Sequence, residues 1–265
     1  MNVLEFDDVR AVYGPYKALN GLSFSVQSGE AVAVLGRNGA GKSTVARVAS
    51  GLVRAAGGDV RVFGHSIRRT SPSRLARQGV VHLPEGVGLF SGLTIEENLV
   101  LRIGGATRAE RAERLARAYD GLGTLRDRRR SKAGQLSGGQ QRLVAVTGAI
   151  VAEPRILLAD EPTLGLSPAA ADDVYEALTR LSASATALLL IETRLGRVEA
   201  LCSRALVLTT GVAHFDGPIG EVRGVLESLL DGTASLHDDR PSLFDARDVA
   251  ASIGSERAAD SERLD

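Results

Sequence analysis

Apolar and polar residues alternate in two stretches near the start of the chain, at residues 3–12 and 22–27. In the second stretch Leu22, Phe24 and Val26 fall on one face. Alternation with a period of two is typical of a strand that buries only one face. The pattern therefore predicts half-buried antiparallel strands at the start of the chain.

Later in the chain, short runs are apolar throughout, as in strands buried on both faces. These runs are Ala31–Leu35, residues 156–159, Ala187–Ile191 and residues 205–208. Helical patterns lie between them, and this alternation predicts an α/β fold with a mainly parallel sheet. Ligands of such sheets bind at the carboxyl ends of the strands. Gly36, Asp160 and Glu192 each follow one of these runs.

Residues 94–120 have a helical pattern that carries a row of arginines three positions apart. The row comprises Arg108, Arg111, Arg114 and Arg117. Glutamates four residues before two of them favour a solvated, ion-paired face, and a contact surface for a partner is the alternative. A basic run at residues 126–130 favours an exposed loop over a nucleic-acid contact.

Composition limits the classes of function. The 265 residues carry a formal net charge of zero, which predicts no nucleic-acid partner. The single cysteine, Cys202, excludes an internal disulfide and fits a reducing cytoplasm. No apolar run reaches the roughly 18–20 residues of a membrane helix, and the N-terminus lacks a signal-peptide pattern. We expect a soluble chain that reaches a membrane through its partners.

The composition changes near Asp231. Residues 231–265 contain nine acidic residues against four arginines and few apolar positions. Such a segment has too little apolar surface to bury. We predict a domain over residues 1–230 followed by an acidic, disordered tail.

A phosphate-binding loop is encoded by residues 36–44, which read Gly-Arg-Asn-Gly-Ala-Gly-Lys-Ser-Thr. This matches G-x-x-x-x-G-K-[ST], in which backbone amides surround phosphates, the lysine reaches the β and γ phosphates and the serine hydroxyl ligates Mg²⁺. The candidate ATP-binding residues here are Gly36, Asn38, Gly39, Ala40, Gly41, Lys42, Ser43 and Thr44.

A second motif distinguishes this chain from other phosphate-loop proteins. Residues 136–141 read Leu-Ser-Gly-Gly-Gln-Gln. With the phosphate loop, this motif resembles the ATP-binding subunits of ABC transporters over roughly residues 3–230. The resemblance implies a peripheral ATPase on the cytoplasmic face of the membrane, bound to permease subunits. It also implies that the signature contacts ATP held by a second ATPase subunit, through Ser137, Gly138, Gly139 and Gln140.

The same resemblance assigns roles to further residues. Asp160 would hold Mg²⁺ beside Ser43, and Glu161 would be the catalytic carboxylate that accepts a proton from the attacking water, with Lys42 as the catalytic cation. Tyr13 matches the aromatic residue that stacks on adenine, with Tyr16 as a neighbouring candidate and a packed strand tyrosine as the alternative. The implied fold has a P-loop core, an antiparallel β subdomain and a helical signature subdomain at about residues 85–155.

Three segments resemble the smaller ATPase of branched-chain amino acid importers. They are Pro-Glu-Gly at residues 84–86, Leu-Thr-Ile-Glu-Glu-Asn-Leu at residues 93–99 and Leu-Gly-Leu-Ser-Pro at residues 164–168. Glu85 stands where most relatives have a glutamine that senses the γ-phosphate. An importer of this type receives its amino acid from an extracytoplasmic binding protein.

Two positions depart from the family pattern. Thr193 occupies the position of the switch histidine, and Gly148 replaces an arginine of the helix after the signature. Thr193 puts efficient hydrolysis at this chain's own site in doubt.

Two other classes of protein remain as alternatives. A soluble ABC ATPase of a non-transport complex would also carry both motifs. However, the signature begins about 95 residues after Lys42, which leaves no room for the long coiled coil of chromosome-type members. The signature argues against a phosphate-loop kinase or GTPase.

Overall fold

The computed structural model describes residues 1–86, 88–183 and 185–230. The chain divides into two compact units, Met1–Leu226 and Glu227–Asp265. The predicted acidic tail, residues 231–265, lies outside the described residues. The division into a domain and a tail stays a prediction.

Strands and helices alternate through most of the first unit. The strands are β1 Asn2–Tyr13, β2 Tyr16–Gln27, β3 Ala31–Leu35, β4 Gly57–Val62, β5 His65–Ser66, β6 Val80–Leu83, β7 Ile156–Asp160, β8 Ala187–Ile191, β9 Arg204–Thr209 and β10 Val212–Pro218. The α-helices are α1 Lys42–Ala49, α2 Pro72–Arg77, α3 Ile95–Ile103, α4 Arg108–Gly121, α5 Gly138–Val151, α6 Pro168–Ser182, α7 Val198–Leu201 and α8 Val222–Leu230. Short 3₁₀ turns occupy Gly123–Arg128, Ala133–Gln135 and Ile219–Glu221.

These strands form two sheets. The antiparallel sheet has the order β2-β1-β4-β5, and the larger sheet has the order β10-β9-β3-β8-β7-β6. In the larger sheet β9, β3, β8, β7 and β6 are parallel, whereas β10 pairs antiparallel with β9. Asp160 at the end of β7 pairs with Ile191 at the end of β8. This register brings the residues that follow both strands to the same edge of the sheet.

Two hydrophobic cores hold the elements together. The first lies between the two sheets and helix α1, and includes Phe6 and Phe24, whose rings stack with centroids 4.7 Å apart. The second joins α3, α4 and α5 through Leu99, Ala118 and Val144, which are buried. The predicted mixture of a parallel core sheet, an antiparallel sheet and a helical region is confirmed.

The predicted helical stretch 94–120 is two helices rather than one. Helix α3 ends at Ile103, with Gly104 (φ 62°) as its C-cap, and α4 begins after Thr107. Thr94 is the N-cap of α3 and Thr107 is the N-cap of α4, each in a capping box that stabilises the start of its helix. Within the described residues, none of the helices combines the length and apolar character that crossing a bilayer requires.

Of the two glutamate–arginine pairs predicted on α4, the structure contains Glu113–Arg117, whereas Glu110 accepts hydrogen bonds from Thr107 instead. Arg114 and Arg117 both pair with Glu153, and Arg117 also pairs with Glu113. The run at residues 126–130 is exposed.

A half-buried histidine, His82, lies in β6 of the main sheet. The His82 Nδ1 atom lies 3.4 Å from the hydroxyl oxygen of Ser50, and Nε2 is buried with no hydrogen-bond partner among the described residues. Burial, and then the charges of Arg47 and Arg102, lower the pKa of His82 to about 4. The ring is therefore neutral in the folded protein near neutral pH.

This pKa predicts a loss of stability in acid. The unfolded chain takes up the His82 proton near pH 6.5, but the folded chain does so only near pH 4. Stability from His82 is thus complete above pH 6.5 and falls as the pH drops towards 4. His82→Gln should flatten the acid limb of melting temperature against pH, whereas the exposed His65→Gln control should not. Parallel acid limbs for His82→Gln and the wild type would contradict this prediction.

Candidate functional site

The phosphate loop connects β3 to α1, and two of its glycines are fixed by neighbouring backbone. A Cβ on Gly36 would lie 2.4 Å from the carbonyl oxygen of Leu208, and one on Gly41 would lie 2.4 Å from that of Ala18. Gly41 also has a φ of 97°, which L side chains rarely adopt. The loop therefore packs directly against β2 and β9, where only glycine fits.

The remaining loop residues fall into two groups. Asn38 and Gly39 are exposed at the tip, where a ligand can reach them. Ala40 and Thr44 are buried, and the carbonyl oxygen of Ala40 accepts a hydrogen bond of 3.0 Å from the Gly211 amide. The buried residues anchor the loop, and the exposed tip is free to follow phosphate.

The Lys42 ammonium lies within the loop itself. Its Nζ donates to the carbonyl oxygens of Gly36 (3.0 Å) and Arg37 (3.1 Å), and the residue is 6% exposed. Burial lowers the pKa of Lys42, and nearby carboxylates, first Glu161 and then Asp160, oppose that effect. These carboxylates keep a cation at the position where phosphate charge would bind.

Ser43 and Asp160 meet across the site, although they are far apart in sequence. The Ser43 hydroxyl donates to Asp160 Oδ1 at 3.2 Å. Burial raises the pKa of Asp160, which is 2% exposed, while the Ser43 hydrogen bond lowers it. A hydroxyl and a carboxylate side by side are the hard oxygen ligands that Mg²⁺ prefers. The pair therefore fits the metal that accompanies a nucleotide.

Glu161 has a strained backbone. Its φ is 44°, in the left-handed region, and its amide donates to the Ile191 carbonyl oxygen at 2.9 Å. Such conformations cluster at functional sites. Burial raises the pKa of Glu161, the charge of Glu85 raises it further, and Lys42 opposes both. A carboxylate with a raised pKa suits general-base chemistry near neutral pH.

Glu192, which is buried like Asp160, is not among the predicted site residues. Tyr175 and Thr163 donate hydroxyl hydrogen bonds to its Oε1, at 3.1 and 3.3 Å. Burial raises its pKa, the Tyr175 bond lowers it and the Glu161 charge raises it again. The sequence feature that could have identified Glu192 as a site residue is its position directly after strand β8. Thr193, next in the chain, is exposed at the same edge.

The signature forms the start of helix α5. Ser137 is the N-cap: its hydroxyl accepts from the Gln140 amide at 3.3 Å, and Gln140 Oε1 accepts from the Ser137 amide at 3.1 Å. Ser137 and Gly138 are exposed, whereas Gly139 is half-buried. The positive end of the helix dipole therefore faces solvent, as an anion-binding surface requires.

Tyr13 and Glu85 lie on two other borders of the site. Tyr13 is half-buried at the end of β1, paired with the exposed Tyr16 across the hairpin. Since Ala18 in β2 contacts Gly41, the hairpin lies beside the phosphate loop. Glu85 is exposed just after β6, at the same edge of the sheet as Asp160.

Sequence reasoning also missed Arg142. This side chain, 3% exposed, donates to the backbone carbonyls of residues 84–86 and 160–162. Its position beside the signature was visible, but its partners lie in segments that only the fold brings together.

Comparison with known families agrees with this geometry. The sequence profile of the ABC transporter family, described as "ABC transporter", matches residues 19–164. The chain belongs to the ABC transporter family, as an ATP-binding, ATP-hydrolysing cassette.

Relatives with different named functions are similar to this chain. The high-affinity branched-chain amino acid transport ATP-binding protein BraG of Pseudomonas aeruginosa is 34% identical over 81% of this chain and 93% of its own length. The daunorubicin/doxorubicin resistance ATP-binding protein DrrA of Streptomyces peucetius is 34% identical over 95% of this chain and 76% of its own. The chain covers 61% of the methionine import ATP-binding protein MetN of Brucella abortus, at 33% identity over 83% of this chain.

Solved structures share the fold. An ATP-binding subunit of an ABC transporter superposes with a TM-score of 0.77 at 29% identity, covering 85% of this chain and 93% of that one. An ATP-binding cassette in its ADP conformation gives a TM-score of 0.72 at 28% identity, covering 89% of this chain and all of the other, 100%.

Proposed function

We propose that this chain energises an importer of branched-chain or related amino acids. In this proposal ATP closes a dimer of two ATPase subunits, and hydrolysis reopens it. The observation that carries the importer assignment is the similarity to BraG over 93% of that protein's length. The Pro-Glu-Gly segment at residues 84–86 supports the same assignment. DrrA is equally identical, so an exporter cassette is the second candidate.

In the proposed chemistry, different residues of the site bind the phosphates, the adenine, Mg²⁺ and the attacking water. Backbone amides of the loop and Lys42 bind the β and γ phosphates, and Tyr13 stacks on adenine. Ser43 and Asp160 hold Mg²⁺, which neutralises charge on the phosphates when bound. Glu161 takes the proton of the attacking water, while Glu85 senses the γ-phosphate. The support is the Ser43–Asp160 contact and the raised pKa of Glu161.

The signature acts on a second protomer in this proposal. Ser137, Gly138, Gly139 and Gln140 present a helix N-terminus to solvent, and their own phosphate loop lies on a different part of the chain. ABC cassettes dimerise and work with membrane permeases. We infer two permease subunits, a second ATPase subunit and, indirectly, an extracytoplasmic binding protein. Placement at the cytoplasmic face follows from that assembly.

Thr193 predicts slow hydrolysis by the chain on its own. A histidine at this position hydrogen-bonds the γ-phosphate and holds the attacking water, whereas threonine is shorter and uncharged. Loss of a contact made mainly in the transition state lowers turnover more than binding. We expect the purified chain to bind ATP but to hydrolyse it slowly, and Thr193→His to raise turnover. Brisk hydrolysis by the isolated wild type would contradict this expectation.

The transport assignment is tested by assembly. The chain should copurify with the permeases encoded beside its gene, and leucine-loaded binding protein should stimulate the ATPase of that complex. Stimulation by a cationic amphiphilic drug instead would favour the exporter. A complex without any permease would favour a soluble ABC ATPase.

A further inference from the structure

A single guanidinium group joins the two acidic segments of the site. Arg142 lies in helix α5 and contacts two sets of three consecutive carbonyl oxygens. The acceptors are, for Nη1, Pro84 (2.5 Å), Glu85 (3.3 Å) and Gly86 (2.8 Å); for Nη2, Asp160 (2.8 Å) and Glu161 (2.7 Å); and for Nε, Pro162 (2.9 Å). Five N–H groups thus serve six carbonyls, with one donor shared.

This convergence of carbonyls needs the cation. Extended backbone turns successive carbonyls to opposite sides, but the left-handed Glu161, with φ 44°, turns those of residues 160–162 together. The Glu161 carbonyl oxygen also accepts from the Leu164 amide at 3.1 Å. Without the guanidinium, the other five carbonyl oxygens would lose this donor around a side chain that is only 3% exposed. Buried unpaired acceptors are costly. The guanidinium therefore determines the conformation of both segments.

The placement of Arg142 links three parts of the site. Its helix begins at Gly138 with Ser137 as the N-cap, so the side chain is rigidly attached to the signature. One set of carbonyls belongs to the segment of Glu85 and the other to the segment of Glu161. Arg142 contacts neither of these carboxylates by a hydrogen bond in the described structure, and every hydrogen bond described for it goes to backbone.

The geometry points to Arg142 as a positioning residue for ATP hydrolysis, which sets Glu85 and Glu161 relative to each other and to the signature helix. This inference rests on the proposed roles of those two carboxylates. A shift of the signature on dimer closure then moves the catalytic carboxylate directly. Arg142 acts through the backbone of the two segments and belongs to the turnover step rather than to nucleotide binding.

The substitution Arg142→Lys distinguishes the positioning of the two segments from the mere presence of a positive charge. Arg142→Lys keeps the cation but has three donors on one atom, which cannot reach both sets of carbonyls. Because a misplacement of about 1 Å can cost about 10²-fold in rate, we expect a loss of that order in single-turnover hydrolysis of γ-³²P-ATP with Mg²⁺. ATP affinity should stay within about threefold of the wild type. Because the isolated chain is expected to hydrolyse ATP slowly, the assay uses the complex assembled with the permeases and the second ATPase subunit, in excess over nucleotide.

Arg102→Lys is the matched control. Arg102 comes from α3, and burial lowers its pKa as it lowers that of Arg142. Its Nη2 donates to the Gly88 carbonyl at 2.7 Å, and no contact with residues 160–162 is described for it. Arg102→Lys should leave turnover within about threefold of the wild type. Equal losses of turnover and melting temperature in both variants would reduce Arg142 to a structural role and overturn the inference.

A double-variant cycle distinguishes this inference from the role of Glu161. If Arg142 acts through Glu161, Arg142→Lys should cost little more in a Glu161→Gln background. An undiminished second loss would overturn positioning through Glu161. A Glu161→Gln variant with unchanged hydrolysis would instead refute the proposed base, whatever Arg142→Lys does.

Hydrogen exchange of the wild-type chain tests the link without a substitution. Adding Mg-ATP should change exchange together in peptides that contain residues 84–86 and 160–162, because one side chain joins them. A change in one peptide without the other would contradict the inference even if Arg142→Lys does not fold.

Discussion

Replacing Glu161 with glutamine is expected to nearly abolish ATP hydrolysis while leaving ATP binding intact. The amide has the same size but cannot accept a proton, and general-base catalysis contributes about 10²-fold or more. ATP affinity should change by less than about threefold, because Lys42 and Ser43 are untouched. With the proton-transfer step blocked, ATP-bound dimers should accumulate, which light scattering at millimolar Mg-ATP will detect.

The pH dependence gives this prediction a second readout. Burial and the charge of Glu85 raise the pKa of Glu161, so the wild-type rate should rise with pH as this carboxyl loses its proton. The hydrolysis rate of the Glu161→Gln variant should not show this rise with pH. The exposed Glu176→Gln, on α6, serves as the control and should retain both the rate and its rise with pH. Unchanged steady-state hydrolysis of the assembled complex containing Glu161→Gln would remove Glu161 from the proposed role.

Replacing Lys42 with alanine is expected to cost ATP affinity rather than turnover alone. A hydrogen bond to a charged group contributes about 1.5–3 kcal/mol, which corresponds to about 10- to 10²-fold in Kd. Among the described residues, the ammonium donates to the Gly36 and Arg37 carbonyl oxygens. Isothermal titration with ATP and Mg²⁺ measures the loss directly.

Lys132→Ala is the control for this change, since Lys132 is exposed and precedes the signature. It should bind ATP like the wild type. The melting temperature of Lys42→Ala should stay close to that of the wild type, because burial already disfavours the charge of Lys42. An Lys42→Ala chain that binds ATP normally would show that the nucleotide does not use this loop.

The parts of the site that could be predicted are local in sequence. The phosphate loop and the signature are each encoded by a few consecutive residues, at positions 36–44 and 136–141. Their residues also keep their local geometry: Ser137 caps α5, and Gly41 adopts a conformation suited to glycine. The α/β class followed from apolar runs that are as long as the strands, such as Ala31–Leu35.

What could not be predicted depends on contacts between distant segments. Arg142 and Pro84 are 58 positions apart, and Thr163 and Glu192 are 29 apart, so no local pattern marks either contact. Short elements were missed for another reason. Strand β6, Val80–Leu83, contains a polar histidine, so its sequence is not a continuous apolar run. The strand forms part of the sheet because it pairs with β7.

The central claim, that ATP hydrolysis at this site drives amino acid import, is tested most directly in proteoliposomes. They would contain the permeases encoded beside the gene, both ATPase subunits and leucine-loaded binding protein on the side opposite to ATP. We expect leucine uptake with ATP, no uptake with a non-hydrolysable analogue, and a strong loss of uptake with Glu161→Gln. Rapid ATP hydrolysis without leucine uptake, or uptake that survives Glu161→Gln undiminished, would contradict it.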